Sequence, residues 1–308
     1  MNSGWLKGQA AQRRQQQLAK AMRSRNAIAL LYHGNFKRFP ESLSSRDDQR
    51  FRVRSGWIGA EHHILLMRAS VYVHGSLHDF IKTGSVEYES LLPGSVKDLI
   101  ESLGVPHPEV GRILIDGVSA GFDALVHDGN RIDVYPCARV NLPQADDLQC
   151  RPSAPLRFIL DVHLGTLARY LRLLGFDTLY RNDCSDAELA ATSANEDRIL
   201  LTRDVGLLKR GMVRFGYFVR STRPEEQLRE VVFRYGLADT AEPFTRCIRC
   251  NGLLRGASPA EVRDRVPSRV AAAFHEFKEC PDCSRVYWEG SHMRRMKTLV
   301  EHSLSAGQ

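Results

Sequence analysis

Two pairs of cysteines near the C-terminus have the spacing of metal ligands. Cys247 and Cys250 form one C-x2-C pair, and Cys280 and Cys283 form the other. Two such pairs can place four thiolates tetrahedrally around Zn2+, which leaves no coordination position for water. We therefore predict a zinc ribbon that holds a structural Zn2+ ion. The alternative is four free thiols in a small core.

Acidic residues follow two of the strands predicted between residues 156 and 243. The apolar run Leu156–Leu160 leads into Asp161, and the strand predicted at Ile199–Thr202 leads into Asp204. Strands and helices alternate here, which predicts a parallel sheet with helices on both faces. Because ligands of such sheets bind at the carboxyl ends of the strands, both aspartates are predicted to lie in a ligand site.

Two more carboxylates open the helix that is predicted after Ser185. Asp186 and Glu188 fall in its first turn, and Ser185 is the predicted N-cap. Clustered carboxylates repel one another unless cations hold them, and Mg2+ or Mn2+ prefers such oxygen ligands. The constellation predicts hydrolysis of a phosphodiester, with Glu188 as an auxiliary group. For any single aspartate taken alone, capping a helix or a turn is the simpler interpretation.

Aromatic and cationic side chains also intermingle after the second cysteine pair. They are Tyr287, Trp288, His292, Arg294 and Arg295. Rings that stack on bases, together with cations that follow phosphates, suit single-stranded RNA. For the two arginines, a solvated basic helix face is the alternative interpretation.

The N-terminal half has a different pattern. Alternating and helical apolar spacing predicts strands at 71–74, 85–90, 112–115 and 131–135 and a helix at 95–103. This order indicates an α+β domain with one helix on a mixed sheet. Residues 138–155 hold three prolines and little periodicity, which predicts a linker.

The distribution of charge, the cysteine content and the lengths of the apolar runs indicate the nature of the N-terminal extension, the cellular compartment and the absence of a membrane partner. Residues 1–66 contain 12 Lys or Arg and 4 Asp or Glu, whereas residues 67–308 contain 31 and 32. The N-terminal excess is interpreted as a disordered tail, a transit-like segment or a non-native addition ahead of Met67. Seven cysteines, an odd number, favour thiolates in a reducing compartment and predict a cytoplasmic protein. No apolar run approaches the ~20 residues of a membrane span, so no membrane partner is predicted.

A resemblance to a known family covers residues 157–235 and continues through the cysteine pairs. It is carried by the runs FILDVHLGTLARYLRLLGFDTLY, SDAEL and RILLTRDVGLL. These resemble the C-terminal RNase domain of the mutator-seven type, a PIN-like family. One departure is Val162-His163, since many members have Gly or Ala with Met after the first aspartate.

This resemblance implies a fold and roles for individual residues. The fold would be PIN-like, and Asp161, Asp186 and Asp204 would hold the catalytic Mg2+ or Mn2+. Arg203 and Lys209 would meet phosphate. The implied activity is metal-dependent hydrolysis of RNA, with the zinc ribbon helping to bind the substrate.

A second resemblance covers the N-terminal domain. The runs LLPGSVKDLIESLGVPHPEVGRILIDG and VHDGNRIDVYP are similar to the ThiS/MoaD branch of the β-grasp, ubiquitin-like fold. Those carriers end in Gly-Gly, whereas this segment runs on through Tyr135, Pro136 and Cys137. We therefore expect a docking or RNA-recruiting module with a protein partner, and not a sulfur carrier.

The sequence thus predicts several units in one chain. They are an extension at 1–66, a β-grasp domain at 67–137, a linker at 138–155, a PIN-like RNase domain at 156–243 and a zinc ribbon with a basic tail at 244–308. The predicted function is a metal-dependent ribonuclease with RNA as its partner. The alternative is a non-catalytic RNA-binding adaptor that keeps the PIN-like fold.

Overall fold

The structure is a computed structural model that describes residues 66–137, 148, 151–152 and 155–305. The predicted N-terminal extension and most of the predicted linker lie outside these residues. Within the described residues, no helix is both long and apolar enough to cross a membrane.

The N-terminal domain is built on a five-stranded mixed sheet. Its strands are β1 (Met67–Val73), β2 (Ser85–Ser90), β3 (Val110–Ile115), β4 (Val118–Ser119) and β5 (Arg131–Pro136), arranged in the order β2-β1-β5-β3-β4. β1 runs parallel to β5, and the other neighbouring strands are antiparallel. Short 3-10 helices lie at Gly75–Asp79 and His107–Glu109.

One helix, α1 (Val96–Ser102), covers the sheet. It begins where the Ser95 hydroxyl accepts a hydrogen bond from the backbone N–H of Asp98, 3.1 Å away. Its apolar side chains Leu99 and Ile100 are buried against the inward-facing strand residues. The predicted helix and four predicted strands are confirmed, and the domain is ubiquitin-like.

The second domain is a four-stranded parallel sheet. Its strands are β6 (Phe158–Leu160), β7 (Thr178–Tyr180), β8 (Ile199–Thr202) and β9 (Gly216–Phe218), in the order β7-β6-β8-β9. Its helices are α2 (Gly165–Leu173), α3 (Asp186–Asn195), α4 (Val205–Leu208) and α5 (Pro224–Tyr235), with 3-10 helices at Val162–Leu164 and Leu237–Thr240. Each neighbouring strand pair is parallel, as the alternation of elements predicts.

Alternate residues of β6 enter two different cores. Phe158 and Leu160 pack with apolar residues of α2 and α5, while Ile159 packs with apolar residues of α3 and α4. Helices therefore cover both faces of the sheet, as predicted. α2 is followed by Gly175, which adopts a φ of +95°, and a Cβ atom there would lie 2.3 Å from the carbonyl oxygen of Glu242. Only glycine suits this helix end.

A buried arginine joins the amino ends of β6 and β8. Arg198 donates to both carboxylate oxygens of Asp177, at 2.8 and 3.2 Å, and to the carbonyl of Phe158. Burial opposes ionisation of Asp177, but hydrogen bonds from Arg198 and Asn251 hold its pKa below the ordinary value. The pair stabilises the fold above the unfolded-state pKa of Asp177, and this contribution is lost as pH falls through the lower folded-state pKa.

We expect Arg198→Met to lower the free energy of unfolding by about 3 kcal/mol at pH 7, because it leaves a half-buried carboxylate without its cation. Denaturant unfolding measures this change. The difference between variant and wild type should shrink as pH falls through the lowered folded-state pKa of Asp177. An unchanged midpoint at pH 7 would contradict the assigned role.

The C-terminal region contains a small antiparallel sheet and a long helix. The strands are β10 (Arg255–Ala257), β11 (Phe277–Glu279) and β12 (Val286–Trp288), and the helices are α6 (Pro259–Val262), α7 (Ser268–Ala273) and α8 (Ser291–Ser305), with a 3-10 helix at Arg263–Arg265. Val300 of α8 is buried in the same core as α2 and α5. The last helix therefore belongs to the packing of the parallel-sheet domain.

The ubiquitin-like domain contacts the β9 side of the parallel sheet. Arg220, just after β9, forms ion pairs with Asp79 at 2.6 Å and with Glu109 at 3.3 Å. Glu109 is 2 % exposed, and its other carboxylate oxygen accepts from the backbone N–H of Phe218 at 2.6 Å. The Phe80 and Phe218 rings meet edge to face. The two domains share a buried, charge-paired contact.

We expect Arg220→Ala to lower the free energy of unfolding by about 3 kcal/mol, because it leaves the buried Glu109 carboxylate without its cationic partner. Burial raises the pKa of Glu109 although Arg220 opposes that shift. A raised folded-state pKa means that folding takes up a proton, so stability falls as pH rises above the ordinary value of 4.5. Unfolding at pH 5 and pH 8 should show a larger loss at pH 8, and equal losses would contradict this account.

Candidate active site and metal centre

The carboxyl ends of β6 and β8 bring two of the predicted catalytic aspartates next to one shared threonine. The buried Thr202 hydroxyl donates to Asp161 Oδ2 at 2.8 Å and accepts from the backbone N–H of Asp204 at 2.9 Å. β6 and β8 are neighbours, with Leu160 opposite Leu201. The threonine therefore fixes the relative position of both acidic residues.

The two aspartates differ in exposure and in their other partners. Asp161 is 6 % exposed, and its Oδ1 accepts from the backbone N–H of Val162 at 2.6 Å. Asp204 is exposed and caps α4, where its Oδ1 accepts from the backbone N–H of Gly206 at 2.7 Å. Both act as helix caps, which was the simpler interpretation of each. Their carboxylates keep lone pairs for a further ligand, since each oxygen can accept more than one bond.

The third predicted aspartate stands apart from this pair. Asp186 is exposed in the first turn of α3 and lies 3.6 Å from Arg210 Nη2. Glu188 closes a capping box, in which it accepts from the Ser185 backbone N–H and hydroxyl at 2.7 Å each. These hydrogen bonds lower the pKa of Glu188. Ser185 is the N-cap, as predicted.

At this edge, the described residues do not bring three carboxylates close enough together to bind one metal ion. Among the described residues, the four cysteines form the one group of three or more His, Cys, Asp or Glu whose ligand atoms all lie within 4.8 Å of one another. The oxygen donors of Asp161 and Asp204 fit a hard divalent cation by chemical type. Asp186 does not join them at that spacing.

The two predicted phosphate ligands have backbone partners. Arg203 Nη1 donates to the carbonyls of Val219, Arg220 and Ser221, at the end of β9. Lys209 Nζ donates to the carbonyl of Glu101 in the ubiquitin-like domain, at 2.6 Å, and burial lowers the pKa of Lys209. The structure thus gives both side chains a role in packing, and their contact with phosphate stays a prediction.

The four predicted zinc ligands do meet. The Cys247 and Cys283 sulfurs lie 3.6 Å apart, and the Cys250 and Cys280 sulfurs lie 3.3 Å apart. Zn–S bonds of about 2.3 Å in a tetrahedron separate neighbouring sulfurs by roughly 3.8 Å. The cluster therefore fits a Zn2+ ion with four thiolate ligands.

Tyr287, one of the predicted RNA ligands, serves this cluster. Its hydroxyl lies 3.0 Å from the Cys247 sulfur. Burial opposes ionisation of Cys247, but hydrogen bonds from Tyr287 and from the backbone lower its pKa to about 6. The tyrosine thus favours the thiolate that a metal needs.

The first cysteine pair is fastened to the parallel-sheet domain. Arg172 of α2 is 5 % exposed, and its Nη1 donates to the carbonyls of Ile248 and Arg249, between the two cysteines. Asn251 accepts from the backbone N–H of Thr178 at 2.9 Å. These hydrogen bonds fasten the loop that carries Cys247 and Cys250 to α2 and β7. The sequence patterns did not indicate Arg172 or Asn251.

The other predicted RNA ligands lie on β12 and α8. Trp288 is half-buried, while Arg294 and Arg295 are exposed. The side chain of His292 lies outside the described part of the structure. Exposure leaves Arg294 and Arg295 accessible to a ligand.

The fold and site define a parallel α/β domain with an acidic carboxyl edge, joined to a four-cysteine centre and preceded by a ubiquitin-like domain. Residues 156–300 match the family model of the Mut7-C RNAse domain, and residues 67–141 match that of the Mut7-C ubiquitin domain. The chain thus carries a Mut7-C ubiquitin domain followed by a Mut7-C RNAse domain. The resemblance of the C-terminal half to the mutator-seven-type RNase domain and the ubiquitin-like nature of the N-terminal domain are confirmed.

Two solved structures are similar to about a quarter of the chain. One is described as molybdopterin converting factor, subunit 1, from Pyrococcus furiosus, with 18% identity, a TM-score of 0.21, and coverage of 23% of this chain and 99% of that chain. Another is the Haloferax volcanii HVO 2177 protein, with 16% identity, a TM-score of 0.22, and coverage of 24% and 87%. No curated protein matches the chain.

Proposed function

We propose that the chain is a metal-dependent ribonuclease whose reaction centre is the acidic edge at Asp161 and Asp204. The observation that supports this most is the Thr202 hydroxyl, which contacts both residues at the carboxyl ends of adjacent parallel strands. Ligands of such sheets bind at this edge. The match to the Mut7-C RNAse domain gives the substrate class.

In this proposal, Asp161, Asp204 and Asp186 supply oxygen ligands to Mg2+ or Mn2+. The bound metal would lower the pKa of a water molecule and offset the phosphate charge. Thr202 orients Asp161, and the α4 cap orients Asp204, so two carboxylates are held in place before substrate arrives. Asp186, on the first turn of α3, would have to leave its contact with Arg210 to take part.

The other parts of the chain support the same reading. Zn2+ held by the four cysteines is structural, because four thiolates close its coordination sphere. The ribbon and α8 help to bind RNA, and the parallel-sheet domain is PIN-like. We also propose the predicted units at 67–137, 156–243 and 244–308, with the ubiquitin-like domain able to bind a protein partner.

One observation favours the alternative, a non-catalytic RNA-binding adaptor. The three aspartates do not converge within 4.8 Å in the described structure, and Asp186 already faces Arg210. An adaptor would keep the fold, the zinc and the basic surface without the reaction.

The purified chain with labelled single-stranded RNA separates the two functions. The ribonuclease proposal expects cleavage in Mn2+ and none when Ca2+ replaces it. Ca2+ is the sharper reference because EDTA also removes zinc from thiolates. RNA binding in Ca2+ without any cleavage across Mn2+ and Mg2+ reactions would favour the adaptor and sink the ribonuclease proposal.

A further inference from the structure

Three arginine side chains converge on a pocket between the parallel-sheet domain and the first cysteine pair. Arg169 comes from α2, Arg249 lies between Cys247 and Cys250, and Arg285 follows the second cysteine pair. The pocket has a volume of about 390 Å3, and buried Arg172 forms part of its wall. No Asp or Glu lines it. We call it the arginine pocket.

The three arginine side chains are exposed, and they have no charged partner among the described residues. Among the described residues, no hydrogen bond or ion pair engages the side chains of Arg169, Arg249 or Arg285. Several other arginines of this domain are paired with carboxylates, such as Arg181 with Asp183 and Arg214 with Asp197. Like charges gathered without counterions repel one another, so a pocket of this kind is completed by an anion.

The arginine pocket adjoins the acidic edge. Tyr180, at the carboxyl end of β7, lines it and donates from its hydroxyl to the carbonyl of Val162, the residue after Asp161. Gly165 also lines it, and a Cβ atom there would lie 2.7 Å from the Tyr180 hydroxyl. β7 is the outer strand and neighbours β6, so the arginine pocket begins beside the acidic edge at Tyr180 and extends along β7 toward Thr178, to which Asn251 bonds.

A second pocket adjoins the arginine pocket and leads toward β12. It has a volume of about 440 Å3, shares Arg169 and Arg285 with the arginine pocket, and extends to Tyr287 and Trp288. Cations followed by aromatic rings are the combination that single-stranded nucleic acid requires. The Tyr287 hydroxyl is used by Cys247, which leaves Trp288 as the ring for stacking.

We propose that the arginine pocket binds backbone phosphates of the RNA strand. It would guide the strand from the Asp161–Asp204 edge across Tyr180 to Trp288. The inference rests on the proposed function for its substrate class. It assigns RNA contacts to Arg169, Arg249 and Arg285, and it makes the structural zinc a determinant of substrate position because the Cys247–Cys250 loop carries Arg249.

The test is RNA affinity in full-length chain carrying Asp204→Asn, so that substrate persists. The probe is a labelled single-stranded RNA of about 12 nucleotides, within the usual range of site sizes. Adding Arg169→Ala, Arg249→Ala and Arg285→Ala should weaken binding at least about tenfold. The negative slope of log affinity against log salt concentration should become shallower by about 2, because each of the three lost phosphate contacts contributes roughly 0.7.

The matched control removes three positive charges elsewhere, by Arg214→Ala, Arg229→Ala and Arg269→Ala, all exposed positions. Equal zinc content and melting temperature in both triple variants show that the folds are intact. If the arginine-pocket variant keeps the affinity and salt slope of the control, the proposal is overturned. Cleavage by the wild-type chain is measured separately. A slope change without wild-type cleavage would support the pocket while removing the ribonuclease proposal.

Discussion

Asp204→Asn is expected to lower the rate of RNA cleavage in saturating Mn2+ at least about 100-fold. Loss of groups that merely support a metal ligand costs 10- to 100-fold, so loss of a carboxylate ligand should cost no less. The fold should be spared, because Asn caps helices as well as Asp and its Oδ1 can still accept from Gly206. Without divalent metal, the melting temperature should stay level or rise, since a negative charge leaves an acidic edge.

The control is Asp197→Asn, an exposed aspartate just before β8, at the opposite edge of the sheet, paired with Arg214. It removes the same charge away from the proposed centre and should cleave at the wild-type rate. Cleavage by Asp204→Asn within a factor of a few of wild type would remove Asp204 from the metal site.

Cys280→Ser is expected to abolish the proposed zinc binding by the four cysteines and to unfold the region around them. Cys280 is fully buried, with its sulfur 3.3 Å from that of Cys250. Apparent binding energies of such zinc sites are about 10–16 kcal/mol, and they are coupled to folding. The loop that accepts hydrogen bonds from Arg172 should lose its position, so the damage should reach α2.

Metal analysis and limited proteolysis measure this result. The wild-type chain should carry about one zinc per chain, and the variant should lose it and be cut after residue 244. Cys184→Ser, at a free and partly exposed cysteine outside the cluster, is the control and should keep its zinc. Zinc retained in Cys280→Ser, or a zinc-free wild type that resists protease, would contradict the structural role.

Local sequence patterns predicted most elements because their causes are local. Ser185 caps α3 through its own first turn, and Gly175 ends α2 through a backbone conformation that disfavours other residues. The cysteine pairs likewise predicted a cluster that the structure forms, since each C-x2-C pair carries its own geometry.

Contacts between distant segments could not be predicted in this way. The role of Thr202 depends on β6 lying next to β8, and an apolar run does not specify its neighbour in a sheet. Lys209 bonds to Glu101, 108 residues away, in the other domain. The arginine pocket draws residues from α2 and both cysteine pairs, so its charge density appears only in three dimensions.

Tyr287 shows a second reason why the sequence alone did not predict the role of a residue. Residue type and neighbours suggested base stacking, whereas its hydroxyl contacts the Cys247 sulfur at 3.0 Å. A tyrosine four residues after the second cysteine pair suits either role, and only the sheet register places its hydroxyl beside Cys247.

The chemical ends of the cleaved RNA test the central claim most directly. Hydrolysis by metal-activated water leaves a phosphate monoester on one product end and a hydroxyl on the other. Attack by the 2′-hydroxyl of the RNA needs no metal-bound water and leaves a 2′,3′-cyclic phosphate. Labelled single-stranded RNA incubated with wild-type chain in Mn2+ should give monoester ends only, with no product in Ca2+. Cyclic phosphate ends, or equal cleavage in Ca2+, would contradict metal-dependent hydrolysis at Asp161 and Asp204.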